Sequence, residues 1–144
     1  MGKRKILKKN SSGVDSALKA RSLAKGLKNR VTEGTLYIES TYNNTKISLA
    51  DNSGNVLGWS SSGAIGFKGA KKGTPFAASK IGEILGEKAA AAGIRELDVV
   101  VKGVGSGRES AIRSIMAHNI EIKSIVDKTP VPHNGPKPRK PRHI

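Results

Sequence analysis

The sequence predicts a single α/β domain built on a five-stranded mixed sheet in three layers, in the order β-β-β-α-β-α-β, between two basic arms. Three observations predict it. The chain has 144 residues, room for one domain with a real core and little more. Apolar residues alternate with polar ones up to residue 61 and then recur at helical spacing after Thr74-Pro75. The charge is also segregated. Residues 1–32 carry ten basic side chains and a single acid, Asp15; residues 33–127 carry eleven basic and ten acidic; residues 128–144 carry five basic and none acidic. A nearly neutral domain over 33–127 therefore sits between a basic N-terminal arm, 1–32, and a basic Pro-rich tail, 128–144.

The elements follow in order. Residues 35–41 (TLYIEST) and 45–51 (TKISLAD) alternate and are rich in β-formers, with Asn43-Asn44 between them. Asn tolerates positive φ, so a tight hairpin turn with that backbone is expected there. Asn52-Ser53-Gly54 turns the chain into a third strand, 55–61, completing a meander. After a Gly- and Lys-rich stretch, Thr74 reads as an N-cap with Pro75 at the first helical position. That helix runs to about Ala92, with Ala77, Ile81, Ile84, Leu85 and Ala89 on one face and Gly93 ending it. Residues 96–102 (ELDVVVK) read as a strand buried on both faces. A second helix takes 108–117 through Ile112, Ile115 and Met116, His118-Asn119 closes it, and 120–126 forms the last strand. Helical crossovers make the last three strands parallel. In the N-terminal arm, residues 14–28 predict a weak amphipathic helix through Val14, Leu18 and Leu27, interrupted by Gly26.

The net charge of +15 at a pI near 10.4 points to a polyanionic partner, nucleic acid first. Without Cys, disulfides, thiolate metal sites and a Cys nucleophile are excluded. The longest apolar runs are too short to span a membrane, so no membrane partner is expected. Aromatics, at 3%, are too few for a row of base-stacking platforms. Met1-Gly2 lacks the Ser or Thr of a myristoylation site, since Ile6 stands there. No apolar run follows Lys3-Arg4-Lys5 as a secretory signal requires, and seven Lys to three Arg fit a mitochondrial presequence only in part.

Two loops carry the candidate chemistry. Gly103-Val104-Gly105-Ser106-Gly107-Arg108 follows a strand and opens a helix, where glycines let backbone N–H groups approach phosphate oxygens. Arg108 stands where a dinucleotide fingerprint needs its third Gly, and no G-K-[ST] follows for a P-loop. The expectation is an anion cradle on Gly103, Gly105 and Gly107 with Arg108 and Arg113 beside it; the plainer account is a turn needing glycines for steric reasons. Lys68, Lys71 and Lys72 before Thr74 repeat the logic, and both loops should leave the carboxyl ends of their strands. Catalysis has little support. His118, His133 and His143 lack zinc-ligand spacing, and Ser60 to Ser62 have no nearby His or Asp signature. Glu39, Asp51, Asp98 and Asp127 would have to converge on a metal for nuclease chemistry, the alternative function on such a fold. No cofactor is expected. After residue 127, prolines stiffen an extended run with one turn at Asn134-Gly135, and it launches Lys137, Arg139, Lys140 and Arg142.

Taken together, Tyr42-Asn43-Asn44-Thr45, Gly58-Trp59, Thr74-Pro75-Phe76-Ala77-Ala78, Lys102-Gly103, Gly107-Arg108-Glu109-Ser110 and the run from Asp127 through Pro132-His133-Asn134-Gly135 resemble the S11 family of small-subunit ribosomal proteins. The likeness spans residue 34 to about 141, with a bacterial or organellar ending. It implies a non-catalytic rRNA-binding protein of ribonuclease-H-like fold on the platform of the small subunit, in a cytoplasmic or organellar ribosome. Such a protein bridges several rRNA helices, neighbours proteins S7 and S18, and helps form the Shine-Dalgarno cleft near the mRNA exit path. By position it places rRNA contacts on the loop from Gly103 to Arg108, on Lys68 to Lys72 with Thr74, and on the tail from His133 to Arg142. Asn43 and Asn44 fall at a functional hairpin tip. Val104, Ser106 and Pro136 depart from the bacterial pattern, which often has Pro, Pro and Cys there.

Overall fold

The computed structural model describes residues 31–142. Five strands, β1 (Glu33–Ser40), β2 (Thr45–Asp51), β3 (Val56–Ser61), β4 (Glu96–Lys102) and β5 (Glu121–Asp127), and two helices, α1 (Pro75–Ala92) and α2 (Arg108–Met116), follow the expected order. They form one sheet, β3-β2-β1-β4-β5. β2 is antiparallel to β1 and β3, whereas β4 is parallel to β1 and β5 to β4. Four strands therefore end at one edge, and the meander and parallel crossovers are as the sequence predicted.

Period-two alternation makes the core. Leu36 and Ile38 of β1, Ile47 and Leu49 of β2, and Leu97, Val99 and Val101 of β4 turn to one face and meet Ala77, Ile81, Ile84, Leu85 and Ala89 of α1 and Ala111 and Ile115 of α2. Burying each large side chain stabilises the fold by about 1.5–3 kcal/mol. α1 begins where the Thr74 hydroxyl oxygen accepts the Ala77 N–H at 3.3 Å, with Pro75 following, and it ends at Gly93 with φ 86°. The helices pack closely because Gly82 lies under Ala111 and Ser114: a Cβ there would stand 2.7 Å from the Ser114 Cβ. The Ser79 and Ser114 hydroxyls share a 2.9 Å hydrogen bond across that contact.

Three expectations need correction. Among the described residues the domain has two layers, because both helices lie on one face. The crossovers β3-α1-β4 and β4-α2-β5 advance the same way across the sheet, and crossovers of one hand then place their helices on one side. β4 is consequently buried on one face: Asp98 and Val100 alternate with the core residues and stay half-exposed. Finally, neither Asn43 nor Asn44 has positive φ. Thr41 closes that turn instead, its hydroxyl accepting the Asn44 N–H at 3.1 Å and its own N–H donating to the Asn44 carbonyl at 2.8 Å. The expected arm over 1–30 and its helix over 14–28 lie outside the described residues.

Candidate nucleic-acid interface

The edge where β1, β3, β4 and β5 end gathers the turn 41–44, the segment 62–74, the loop 103–107 and the tail after 127, so both candidate loops do leave carboxyl ends. Glycines hold these segments together. A Cβ on Gly73 would collide with the Tyr42 carbonyl, one on Gly103 with the Ser40 carbonyl, and one on Gly105 with the Ser40 hydroxyl and Thr41 carbonyl. Gly103 also sits at φ 103°, a backbone that glycine adopts without strain.

Hydrogen bonds lock the arrangement. The Gly105 N–H donates to the Ser40 carbonyl at 2.9 Å, and the Ser106 hydroxyl donates to the Gly73 carbonyl at 2.9 Å. The Gly103 N–H donates to the Thr129 hydroxyl at 3.1 Å, tying the tail to the loop. Arg108 donates to the Gly103 carbonyl at 2.5 Å and to the Asp127 carboxylate at 2.6 Å. Asp127 further accepts the Thr129 hydroxyl at 2.6 Å and its N–H at 2.9 Å. Hydrogen bonds from the Arg108 guanidinium, and then from Thr129, hold the Asp127 carboxyl well below the usual carboxylate range.

The anion-cradle expectation is corrected accordingly. The Gly103 and Gly105 N–H groups already donate within the protein, and Gly105 and Gly107 are buried. The glycines serve the approach of backbones, which is the plainer account. Arg108 is the brace between the loop and the end of β5. Thr74 is likewise engaged, capping α1 and donating to the Lys71 carbonyl at 2.7 Å. Arg113 stands apart on α2, exposed, with Glu109 at 3.7 Å.

Other candidates face solvent. Lys71 is exposed on a 3-10 turn over Gly69–Gly73 and Lys68 is exposed just before it, with Lys72 half-buried. Asn43 is exposed at the turn tip, whereas the Asn44 side-chain oxygen is buried without a hydrogen-bond partner. His133, Lys137, Arg139, Lys140 and Arg142 lie along an exposed tail that bends at Asn134, φ 55°, before Gly135. The structure adds three residues that lie within the family-like motifs but were not among the expected RNA contacts. Tyr42 is 79% exposed, and it lines a groove of about 420 Å³ with Lys102, Val104 and Pro130, among others. Lys128 is exposed where the tail begins. Lys102 and Lys128 were readable in one respect: each abuts a predicted strand end.

The acids do not converge. Asp51 accepts the Ser53 and Asn55 N–H groups in its own turn, Asp98 accepts the Ser124 hydroxyl, and Asp127 holds Arg108. Among the described residues no group of three or more His, Asp or Glu is placed to hold a metal ion.

A sheet edge of interlocked loops, fringed with lysines and continued by a basic tail, defines a class: an α/β protein suited to docking on a polyanion. The family model of ribosomal protein S11 matches residues 34–143. Small ribosomal subunit protein uS11 of Treponema pallidum (strain Nichols) is 53% identical over 117 residues, covering 81% of this chain and 93% of the relative. That of Thermus thermophilus is 49% identical over 116 residues, covering 81% and 90%. The chain belongs to the ribosomal protein S11 family.

Proposed function

We propose that the chain is a structural, non-catalytic constituent of the small ribosomal subunit that binds rRNA through the loop edge and C-terminal tail. The observation that carries this reading is the convergence of Lys68, Lys71, Lys102 and Lys128 on the edge from which the tail departs. A rigid scaffold with charged fringes suits RNA recognised by shape and phosphate position. Asn43 at the turn tip, Lys72 behind the two exposed lysines, and His133 to Arg142 along the tail extend the same surface. The strand order and the antiparallel β2 support a ribonuclease-H-like assignment for the domain, without that fold's gathered carboxylates. Membership of the family supports a place on the platform of a cytoplasmic, bacterial-type ribosome. There the chain would bridge several rRNA helices beside proteins S7 and S18 and help form the Shine-Dalgarno cleft near the mRNA exit.

The tail provides the test. Deleting residues 137–144 removes Lys137, Arg139, Lys140 and Arg142, all exposed and remote from the core. Four lost phosphate contacts make the plot of log K against log salt shallower by about 3–4 for a small-subunit rRNA fragment, with melting unchanged. An unchanged slope would show that the tail does not engage RNA phosphates.

A further inference from the structure

The turn between β1 and β2 carries an aromatic ring onto the edge where the lysines gather. Hydrogen bonds between Thr41 and Asn44 close that turn. It is pinned from outside as well, since Gly73 lies against the Tyr42 carbonyl and Gly105 against the Thr41 carbonyl, each too close to admit a Cβ. Tyr42 nevertheless stands 79% exposed, and among the described residues its ring meets neither another ring nor a cation. The other aromatics are placed differently. Phe67 and Phe76 pack edge to face at 5.9 Å, with the Lys80 ammonium 5.4 Å from the Phe76 ring. Tyr37 and Trp59 alternate with buried neighbours and so lie on the helix-free face of the sheet. Five aromatics cannot make a row of stacking platforms, but one on a cationic edge suffices for one base.

Tyr42 lines the groove of about 420 Å³ together with Val104 and Pro130, which supply apolar surface, and Lys102, which supplies charge. Such a volume receives a small flat ligand. Polar groups of the lining are already engaged within the protein. The Gly103 N–H donates to the Thr129 hydroxyl at 3.1 Å, and that hydroxyl donates to Asp127 at 2.6 Å. The groove is therefore suited to holding a ligand by its face rather than by hydrogen bonds to its edge.

The charge around the groove says which ligand. Lys102 is exposed in its lining, and Lys128 is exposed directly before the lining residue Thr129. Among the described residues neither lysine forms an ion pair. Glu39, the acid of the lining, lies in one register row between Lys46 and Lys102, so the row is net positive. An apolar protein side chain needs no cationic rim, whereas a flat ring carried between two phosphates does. We propose that the groove takes one unstacked base of the rRNA, with its face on the Tyr42 ring and its flanking phosphates on Lys102 and Lys128. This site rests on the RNA reading of the loop edge and deepens it. Stacking tolerates any base, so Tyr42 selects for an unpaired position in the folded RNA, where the lysines select only for phosphate.

The test compares the full-length protein with its Tyr42→Phe, Tyr42→Leu and Tyr42→Ala variants in binding deproteinised small-subunit rRNA. Tyr42→Phe keeps the ring and binds within about twofold of wild type. Tyr42→Ala binds about 5- to 100-fold more weakly, the range of one lost base stack, and Tyr42→Leu, apolar but without a π-face, follows it. None of the three moves the salt slope, whereas Lys102→Ala and Lys128→Ala each make it shallower by about 0.7–0.9. Melting of the free protein stays as in wild type, because Tyr42 is exposed, and Tyr42→Leu decides the matter if alanine loosens the turn. If Tyr42→Leu binds as wild type does, no base is stacked; the groove then belongs to an apolar side chain of a neighbouring protein, and the RNA reading survives. If wild type binds no rRNA, both readings fail.

Discussion

Gly105→Ala separates a glycine needed for packing from one needed by phosphate. The added Cβ would lie under 3.0 Å from both the Ser40 hydroxyl and the Thr41 carbonyl. Gly105 has no positive φ, so the effect is steric. Forcing a methyl into packed backbone costs about 1–3 kcal/mol. Displacing the loop also strains the 2.9 Å bond from the Gly105 N–H to Ser40, for which a net hydrogen bond sets a scale of about 0.5–1.5 kcal/mol. Against this, replacing Gly stiffens the unfolded chain and returns about 0.4–1 kcal/mol. The net is a loss of about 1–3 kcal/mol, read by urea denaturation of the free protein as a lower midpoint at unchanged slope. Ser40→Ala in the Gly105→Ala background removes one of the two collision partners and recovers part of the loss, giving a measurable coupling. An unchanged midpoint combined with weaker rRNA binding would refute this reasoning and restore the phosphate cradle.

Thr74→Ala removes the cap of α1 and lowers stability by about 1 kcal/mol, measured in the same denaturation assay. Arg108→Ala frees both the 103–107 loop and the end of β5; thermal melting of the free protein shows a lower Tm, and an unchanged Tm would mean that the brace is idle. The Asp127 carboxyl is held below its unfolded value, so its stabilising effect is complete above the ordinary carboxylate pKa of about 3.9 and is lost as pH falls toward the folded value. Asp127→Asn therefore flattens the acid limb of stability against pH and leaves a smaller difference between pH 7 and pH 3 than in wild type.

The periodic elements were legible because local chemistry and global packing agree in them. Thr74-Pro75 and Gly93 bound α1 as their capping chemistry dictates, and Leu36, Ile38, Ile47 and Leu49 alternate into the core as the strand pattern required. What failed was tertiary. Val99 to Val101 resemble a strand buried twice over, yet which faces are covered depends on the direction in which both crossovers advance, and no window around β4 contains that. The Gly103 to Gly107 spacing fits a phosphate loop and a close-packed turn equally. Only the position of Ser40 and Thr41, some sixty residues earlier, decides between them. The bracing role of Arg108 was hidden for the same reason: its carboxylate partner is Asp127, at the end of another strand. Charge segregation was legible from the sequence, because it needs no neighbours, and it located the tail without showing that Lys102 and Lys128 extend its surface.

The central claim is that the chain is a built-in component of the small ribosomal subunit, held by a lysine-fringed edge and a basic tail. Sucrose-gradient sedimentation of cells expressing the full-length chain with an epitope tag tests it most directly. The chain is expected to migrate with small subunits and to stay there through a high-salt wash, because contacts interlocked with folded rRNA resist the screening that strips loosely bound cations. A chain found at the top of the gradient, or stripped from the subunit by salt together with non-specifically bound proteins, would contradict it.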